Sequence, residues 1–241
     1  MSSVAELVPE RFAELIRPAI NRVQRSVRDR ALTAGSAGLP RRYGMPSARL
    51  VDELRYVLPR GPLPTTAFPL AARYEPAEVV QGQVDALVSG GWLVPVAAGL
   101  ALGDRAAAYL DDLHDLHAEA TAGWTGDLSE LLDLVGTLLA AGTATGGAAY
   151  AVFAPPHERP SDPPGIVLFN RLAALRYHRS DAHVAAWAAR GLTTEQVAAL
   201  PADAPLRQEI EADTNRRSAP PYAALSPSQR LRFLAGLATL S

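Results

Sequence analysis

The sequence of 241 residues contains neither cysteine nor lysine. The absence of cysteine excludes a disulfide framework, a thiol nucleophile and a thiolate-bound metal. The absence of lysine excludes Schiff-base catalysis and the lysine of a phosphate-binding loop, so all 23 basic side chains are arginines. A glycine-rich dinucleotide loop, a nucleophile elbow and a His-Glu-x-x-His zinc motif are also missing, and we therefore expect no cofactor.

No apolar run reaches the length of a membrane-spanning helix, because Asp, Glu or Arg interrupts every candidate. The first residues lack the basic segment and apolar run of a secretory signal. With 48% hydrophobic and 20% charged residues, the composition is typical of a globular protein long enough to bury a core. These features predict a cytoplasmic protein that does not contact a membrane.

The net charge of −2 is unevenly distributed. Residues 1–60 hold eleven arginines, whereas residues 75–133 hold eleven acidic residues and a single arginine, Arg105. Two interpretations follow from this asymmetry: the basic and acidic regions attract each other, or they form two solvated faces of opposite sign.

A long N-terminal helix is predicted over residues 6–31, because apolar side chains recur at helical spacing. They are Ile16, Ile20, Val23 and Val27. Pro18 predicts a kink or a restart within this helix. The following segment, 33–46, is rich in Gly, Ser and Pro and predicts a linker.

The pattern from residue 47 onwards predicts three helices, a hairpin and a fourth helix. Ser47 is the expected N-cap of the first, a short helix follows at 66–73, and Pro76 suits the first turn of the third, 76–89. Two short apolar strands between Trp92 and Leu102 then predict a hairpin that turns at 97–99. Asp104 is the expected cap of a long helix that runs to about residue 122.

This order is that of a winged helix-turn-helix. The run from Leu87 to Leu93, followed by Leu102 to Ala106, resembles the end of the recognition helix and the wing of MarR-type regulators. The resemblance covers about a quarter of the chain and implies a DNA-binding fold. The predicted organisation is a helical arm and linker (1–46), a winged-helix module with its following helix (47–122) and a C-terminal helical domain (123–241).

The predicted recognition helix, 76–89, has poor chemistry for DNA. It offers Glu78, Gln81, Gln83 and Asp85 but no arginine, and the wing, 94–100, has none either. Because phosphate neutralisation supplies most non-specific affinity for DNA, sequence-specific DNA binding by this module is the less favoured interpretation. Use of the module as a scaffold or dimer contact is the alternative.

The second half predicts helices at 127–141, 166–190, 194–200, 205–217 and 227–238. Residues 142–147 are expected to form a flexible glycine-rich connection, and 154–165, with five prolines, an extended loop. Capping boxes are predicted at Thr193 with Gln196 and at Ser226 with Gln229. The predicted fold class is therefore all-α with a small β-wing, a winged helix followed by a helical bundle.

A dense polar string interrupts the helix predicted at 166–190. His178 falls on its apolar stripe, whereas Arg176, Arg179 and His183 share an adjacent face at spacings of three and four. Asp181 is placed beside Tyr177 and His178.

Two interpretations of this string remain open. In the structural one, Arg179 and Asp181 bridge to neighbouring helices and His178 is a satisfied core histidine. In the functional one, Arg179 binds an anionic group, His178 or His183 exchanges a proton, and Asp181 fixes the tautomer. An enzyme would then use His178, Arg179, Asp181 and His183 as its active centre.

Two runs resemble those of an uncharacterised actinobacterial family of helix-turn-helix proteins. Residues 178–186 match a run of His-Arg-small-Asp-small-His-Val-Ala-Ala, and residues 211–220 match one of Glu-x-x-Thr-Asp/Asn-Arg-x-x-Ala-Pro. The second run contains Asn215 and Arg216. The resemblance implies an architecture and candidate positions but no activity.

A metal site is a weaker candidate. His114, His117, His178 and His183 could supply ligands if they converged, with Asp181 beside them. However, three-residue histidine spacing plus an i, i+5 pair is not a defined ligand signature, so no metal is favoured.

The favoured function is that of a regulator or sensor that binds a small, anionic or aromatic molecule in its C-terminal half, with a homodimer expected. The predicted lining combines aromatic and polar side chains. It consists of Trp124, Tyr150, Arg176, Tyr177, Arg179, His183, Trp187, Asn215 and Arg216. The alternatives are a cofactor-independent or metal-dependent enzyme on a winged-helix scaffold, and a dimeric interaction protein whose polar helix is structural.

Overall fold

The computed structural model describes residues 7–46 and 48–240. This part of the chain is mostly helical, with twelve α-helices and one small antiparallel hairpin. The prediction of a mostly helical protein with one hairpin is therefore confirmed. Ser47, the predicted N-cap, lies outside the described residues, and the helix that follows begins at Arg49.

The helices follow one another closely along the chain. They are α1 (Pro9–Thr33), α2 (Leu39–Tyr43), α3 (Arg49–Leu54), α4 (Phe68–Ala71), α5 (Ala77–Ser89), α6 (Asp104–Thr121), α7 (Leu128–Gly142), α8 (Ala148–Phe153), α9 (Pro164–Ala188), α10 (Thr194–Ala199), α11 (Pro205–Ser218) and α12 (Pro227–Thr239). The strands are β1 (Leu93–Val96) and β2 (Gly99–Leu102). Short 3₁₀ turns lie at Ser36–Gly38, Leu58–Arg60, Thr65–Ala67 and Pro220–Ala224.

The larger core forms where α1 packs against α6, α9, α11 and α12. The apolar stripe of α1 is fully buried there, as its spacing predicts. It meets apolar side chains of α7 and α9, among them Leu138 and Phe169. α1 is continuous through Pro18, so the predicted restart is wrong, and a kink at Pro18 stays a prediction.

A second core joins residues 39–113 to α8 and α9. Trp92, Leu54 and Phe68 are buried at its centre, together with Phe153 of α8 and Ala173 of α9. Leu39 and Met45 are buried in the same core, because the segment predicted as a linker forms α2, which packs on α6. The two cores meet along α9, which contributes side chains to both.

The hairpin is confirmed with Leu93 opposite Leu102 and Val96 opposite Gly99. Leu63 adds an isolated bridge on the outer side of β2, with two backbone hydrogen bonds to Leu100 of 2.8 and 2.9 Å. The backbone of Gly99 has a φ of +128°, which favours glycine. The hairpin is thereby anchored to the segment between α3 and α4.

Two local predictions are corrected by long-range packing. The glycine-rich segment 142–147 is not a loose connection, because a Cβ on Gly147 would lie 2.8 Å from Cγ of Asp181. α8 follows it directly, in residues for which the sequence predicted no element. Asp104 is the first residue of α6 rather than its cap; Gly103 occupies the cap position.

The capping boxes are confirmed at both predicted sites. Thr193 and Ser226 each accept a hydrogen bond from the backbone of the glutamine three residues later, and that glutamine's side chain accepts one from the cap backbone. α10 and α12 begin at these caps. In the described residues no helix is both long and apolar enough to cross a membrane.

Replacing Gly99 by alanine tests the anchoring of the hairpin. A Cβ at this position would lie 2.0 Å from the carbonyl oxygen of Leu63, in a backbone conformation that alanine disfavours. We expect Gly99→Ala to lower the free energy of unfolding by at least about 2 kcal/mol, measured by urea denaturation. Gly82→Ala is the matched control: a Cβ on Gly82 of α5 meets open space, and alanine there should stabilise by up to about 1 kcal/mol. Equal stability of the two variants would contradict the anchoring.

Candidate functional site

A cleft of about 380 Å³ lies between α1, the segment from α3 to α5, and α9. Its lining contains six arginines and three glutamates, so the net charge of the lining is positive. The arginines are Arg17, Arg28, Arg49, Arg73, Arg176 and Arg179. Four tyrosines and several aliphatic side chains complete the wall; the tyrosines are Tyr56, Tyr74, Tyr177 and Tyr222.

The polar contribution of α9 comes from one face of the helix. Arg176, Arg179, Ser180 and His183 line the cleft and are spaced i, i+3, i+4 and i+7, which places them on one side of an α-helix. The opposite side of α9 is packed against α7 and α8. The rotation of α9 about its axis therefore decides which members of the polar string reach the cleft.

Most of the cleft arginines are held by carboxylates. Arg49 pairs with Glu75 at 2.6 Å. Arg28 approaches Glu53 at 3.4 Å, and Glu53 also accepts a hydrogen bond of 3.2 Å from Tyr177. Tyr177 stacks on Phe153, and burial raises the pKa of its hydroxyl, so it stays protonated as a donor.

Arg179 is restrained in the same way. Its Nη2 donates to Glu211 at 2.8 Å, and its Nη1 donates to Asn215 at 2.8 Å and to Ser218 at 3.3 Å. Arg17 also reaches Glu211, at 3.2 Å. The charge of Arg179 is therefore already matched by a carboxylate on α11, and its binding of an anionic group stays a prediction.

Arg176 is different. It lines the cleft, and its guanidinium forms no hydrogen bond or ion pair with any of residues 7–46 and 48–240. Arg176 is exposed to solvent within the cleft, and the protein around it together with the nearby charge of Arg28 lowers the pKa of its guanidinium. A guanidinium in this position has unused donors that suit a planar carboxylate or a phosphate.

His183 lies on the same face of α9 as Arg176, about two helical turns further along. Its Nδ1 lies 3.0 Å from the hydroxyl of Tyr74, which is itself exposed at the cleft. Burial lowers the pKa of His183, so its imidazole is neutral near pH 7. His183 can therefore exchange hydrogen bonds with a ligand without adding positive charge.

His178 does not share this environment. It is 3% exposed, and its Nε2 lies 2.9 Å from Oγ1 of Thr145. The ring of Tyr150 packs edge-on against it, and burial lowers its pKa. His178 is a buried core histidine with a hydrogen-bond partner, as the structural interpretation predicts. Its position does not support the predicted part in an active centre.

Asp181 is also turned away from the cleft. Its carboxylate accepts hydrogen bonds from the backbone amides of Ala149 and Tyr150, at 3.2 and 2.8 Å, and pairs with Arg73 at 2.9 Å. It forms no hydrogen bond with either nearby histidine in the described chain, so the predicted fixing of a tautomer is wrong. Asp181 instead binds the first turn of α8, where backbone amides are free to donate.

Three aromatic side chains predicted to line the pocket lie elsewhere. Trp124 is buried in the larger core, and Trp187 packs beside Val197 in a small cluster near α10. Tyr150 donates its hydroxyl to the carbonyl of Leu139 at 2.6 Å, and burial raises its pKa to about 12. All three were placed in the pocket because they are aromatic, but each packs in an apolar environment instead.

The remaining predicted ligand contacts, Asn215 and Arg216, do not line the cleft. Asn215 accepts a hydrogen bond from Arg179 and so positions that side chain. Arg216 is exposed and pairs with Asp213 at 3.2 Å, away from the cleft lining. Of the predicted site residues, Arg176, Tyr177, Arg179 and His183 are brought together at the cleft.

The four histidines considered for metal binding do not converge. His114 pairs with Asp162 at 2.8 Å, and His117 packs against Phe169. His178 and His183 point to opposite sides of α9. No group of three or more potential metal ligands occurs within the described part of the chain.

Sequence patterns did not identify the half of the cleft contributed by α1 and α3. One pattern in the sequence indicates this face of α1: polar side chains at helical spacing beside the apolar stripe, namely Arg17, Asn21 and Arg28. Glu53 and Tyr56 carry no such signal, because they reach the cleft only through the packing of α3.

Known protein families, curated proteins and solved structures offer no match to this chain. Evidence about its function therefore comes from the geometry of the chain itself.

Replacing Asp181 distinguishes a structural from a binding role. Asp181→Ala leaves two amides of α8 and the mostly buried Arg73 without their partner, and we expect a loss of about 3 kcal/mol in the free energy of unfolding. Asp115→Ala is the control, because Asp115 pairs with Arg159 on an exposed surface and should change stability by less than about 1 kcal/mol. Urea denaturation of both variants measures the difference. Wild-type stability of Asp181→Ala would contradict the structural role.

Proposed function

We propose that the protein binds a small anionic molecule with an aromatic or aliphatic body in the cleft between α1, α3–α5 and α9. The observation that carries this proposal is the unpaired guanidinium of Arg176, placed in a cleft whose other arginines are mostly matched by carboxylates. An anionic group that reached Arg176 would gain charge-assisted hydrogen bonds in a partly desolvated position.

The walls of the cleft support the second half of the proposal. Leu70 presents aliphatic surface and the exposed Tyr74 an aromatic ring, while Leu50, Leu175 and Tyr56 form the buried floor behind them. A volume of about 380 Å³ falls in the range of pockets for small organic molecules. The combination favours a carboxylate or phosphate ester carried on a small apolar body over an inorganic ion alone.

We further propose that residues 48–122 form a winged-helix module that acts as part of a sensor. Support comes from the order of α3, α4, α5, the hairpin and α6, and from the bridge of Leu63 to β2, which adds a third short strand segment. Leu70 to Glu75 and Gln83 of this region line the cleft. A ligand bound there would contact the module directly.

DNA recognition by the module is not favoured. Along α5, Glu78 and Asp85 are exposed, and Gln81 donates to Asp85 at 2.8 Å. Gln83 faces the cleft, and the hairpin exposes Val94 and Val96.

We expect fluorescence anisotropy with DNA from upstream of the protein's own gene to show no nanomolar, salt-dependent binding. Such binding, with a steep loss of affinity as salt rises, would overturn this part of the proposal.

An enzyme is the second candidate, and one observation favours it. A neutral His183, in contact with Tyr74, lines the same cleft as Arg176 about two helical turns away, so a substrate that spans this distance would reach a group able to take up a proton. In this version Arg176 binds the substrate and His183 acts as the base. Loss of turnover in His183→Gln with binding retained would favour the enzyme over the sensor.

Replacing Arg176 tests the binding proposal with benzoate and phenyl phosphate as probes. We expect both aromatic anions to raise the melting temperature of the wild type, and neutral benzamide to have no such effect. Arg176→Met should weaken binding of the anions at least about tenfold in isothermal titration calorimetry, because one charge-assisted contact is lost.

Arg232→Met is the matched control for this experiment. Arg232 pairs with Glu130 at 2.5 Å on an exposed surface away from the cleft, so its loss removes the same charge from the chain without touching the lining. Equal affinity of Arg176→Met and Arg232→Met for benzoate, or no binding of either anion by the wild type, would refute the assignment.

A further inference from the structure

Arg55 presents a second, separate cationic group inside the protein. It follows the last residue of α3, and its guanidinium lies 3.8 Å from the ring centre of Tyr56. Its Nη1 donates to the backbone carbonyl of Asp52. Its Nε and Nη2 are buried, and neither has a hydrogen-bond partner in the described residues. Buried donors of a charged group are expected to have partners, so these two require an acceptor.

The neighbouring carboxylates do not provide that acceptor. Asp52 accepts a hydrogen bond of 2.6 Å from the hydroxyl of Tyr109. Glu53 is turned to the cleft, where Arg28 and Tyr177 bind it. Burial lowers the pKa of Arg55 to about 10, which still leaves the side chain fully charged near pH 7. The charge is therefore buried without an ion pair in the described part of the chain.

A small, largely enclosed cavity of about 30 Å³ lies against Arg55. Asn170 and His117 line it, and both are 5% exposed with no side-chain hydrogen bond to any described residue. His157 also lines it, while His114 is engaged by Asp162. The volume exceeds what one water-sized occupant needs but is too small for an organic anion.

The donors around this cavity outnumber its acceptors. Burial lowers the pKa of His117 and of His157, so each ring is neutral and offers one N–H and one acceptor nitrogen, while the carbonyl oxygen of Asn170 is a third acceptor. Asn170 offers its amide N–H groups, and Arg55 offers two further donors. Asp111 also lines the cavity, but its carboxylate is mostly exposed and pairs with Arg159 at 2.6 Å.

We infer that this cavity binds a monatomic anion of the halide class, with chloride as the natural occupant and Arg55, Asn170 and His117 as its donors. A halide is close to water in size, accepts several hydrogen bonds at once and carries the charge that Arg55 lacks in a partner. A water molecule would satisfy the donors without adding negative charge beside Arg55, which Glu53 and Asp52 stabilise only from beyond ion-pair distance.

The test is the melting temperature of the full chain in sodium chloride or bromide against sodium gluconate at equal ionic strength, because gluconate is too large for the cavity. We expect chloride and bromide to raise the wild-type melting temperature by about 3 °C once their concentration is roughly tenfold above the dissociation constant. Arg55→Met should show no difference between halide and gluconate. Arg176→Met and Arg232→Met should keep the halide effect, which separates this cavity from the cleft.

Crystals grown in sodium bromide provide a second measurement that does not depend on any variant folding. We expect an anomalous bromine peak within hydrogen-bond distance of Nε or Nη2 of Arg55. Absence of this peak in bromide, or a halide effect of equal size in wild type and Arg55→Met, would overturn the inference. Loss of the halide effect in Arg176→Met alone would assign the ion to the cleft instead.

Discussion

The carboxylate of Asp181 holds three separate parts of the chain in register. It accepts hydrogen bonds from the first amides of α8 and pairs with Arg73, which precedes α5. Gly147 allows this close approach, since a Cβ there would collide with the carboxylate. These contacts stabilise the rotation of α9 in which Arg176 and His183 line the cleft and His178 lies in the core. A residue that looked catalytic in sequence therefore sets the geometry on which the site depends.

Three arginines beside the cleft lie close to one another, and the repulsion between their like charges disfavours folding. Arg28, Arg55 and Arg176 lie near enough for the charge of Arg28 to lower the pKa of both other arginines. Neither Arg55 nor Arg176 has a carboxylate partner in the described residues, whereas Arg179 and Arg49 do. The buried donors of Arg55 lower the stability of the fold, whereas Arg176 is exposed and keeps its donors available to a ligand.

The features that the sequence predicts correctly are those that depend on the spacing of residues close together in the chain. The hairpin, the two capping boxes and the shared face of Arg176, Arg179 and His183 all follow from rules that span fewer than ten residues. α8 was missed because its first turn is stabilised by Asp181, more than thirty residues further on. The part of the cleft formed by α1 was missed for the same reason. Arg17 meets Glu211 of α11, and Arg28 meets Glu53 of α3, only after the chain has folded. Aromatic character alone wrongly predicts Trp124 in the pocket.

The position of the cleft gives the proposed sensor a physical basis. Ile20 and Leu175 belong to the larger core and Leu50 to the second, yet all three line the same cleft. A ligand held by Arg176 would therefore touch both packing units at once. Packed cores shift as units rather than deform continuously, so a ligand that fits one relative arrangement better than another favours that arrangement by its difference in affinity. α5 and the hairpin belong to one of the two packing units and expose a surface to solvent. A partner bound at this surface would sense a shift between the units.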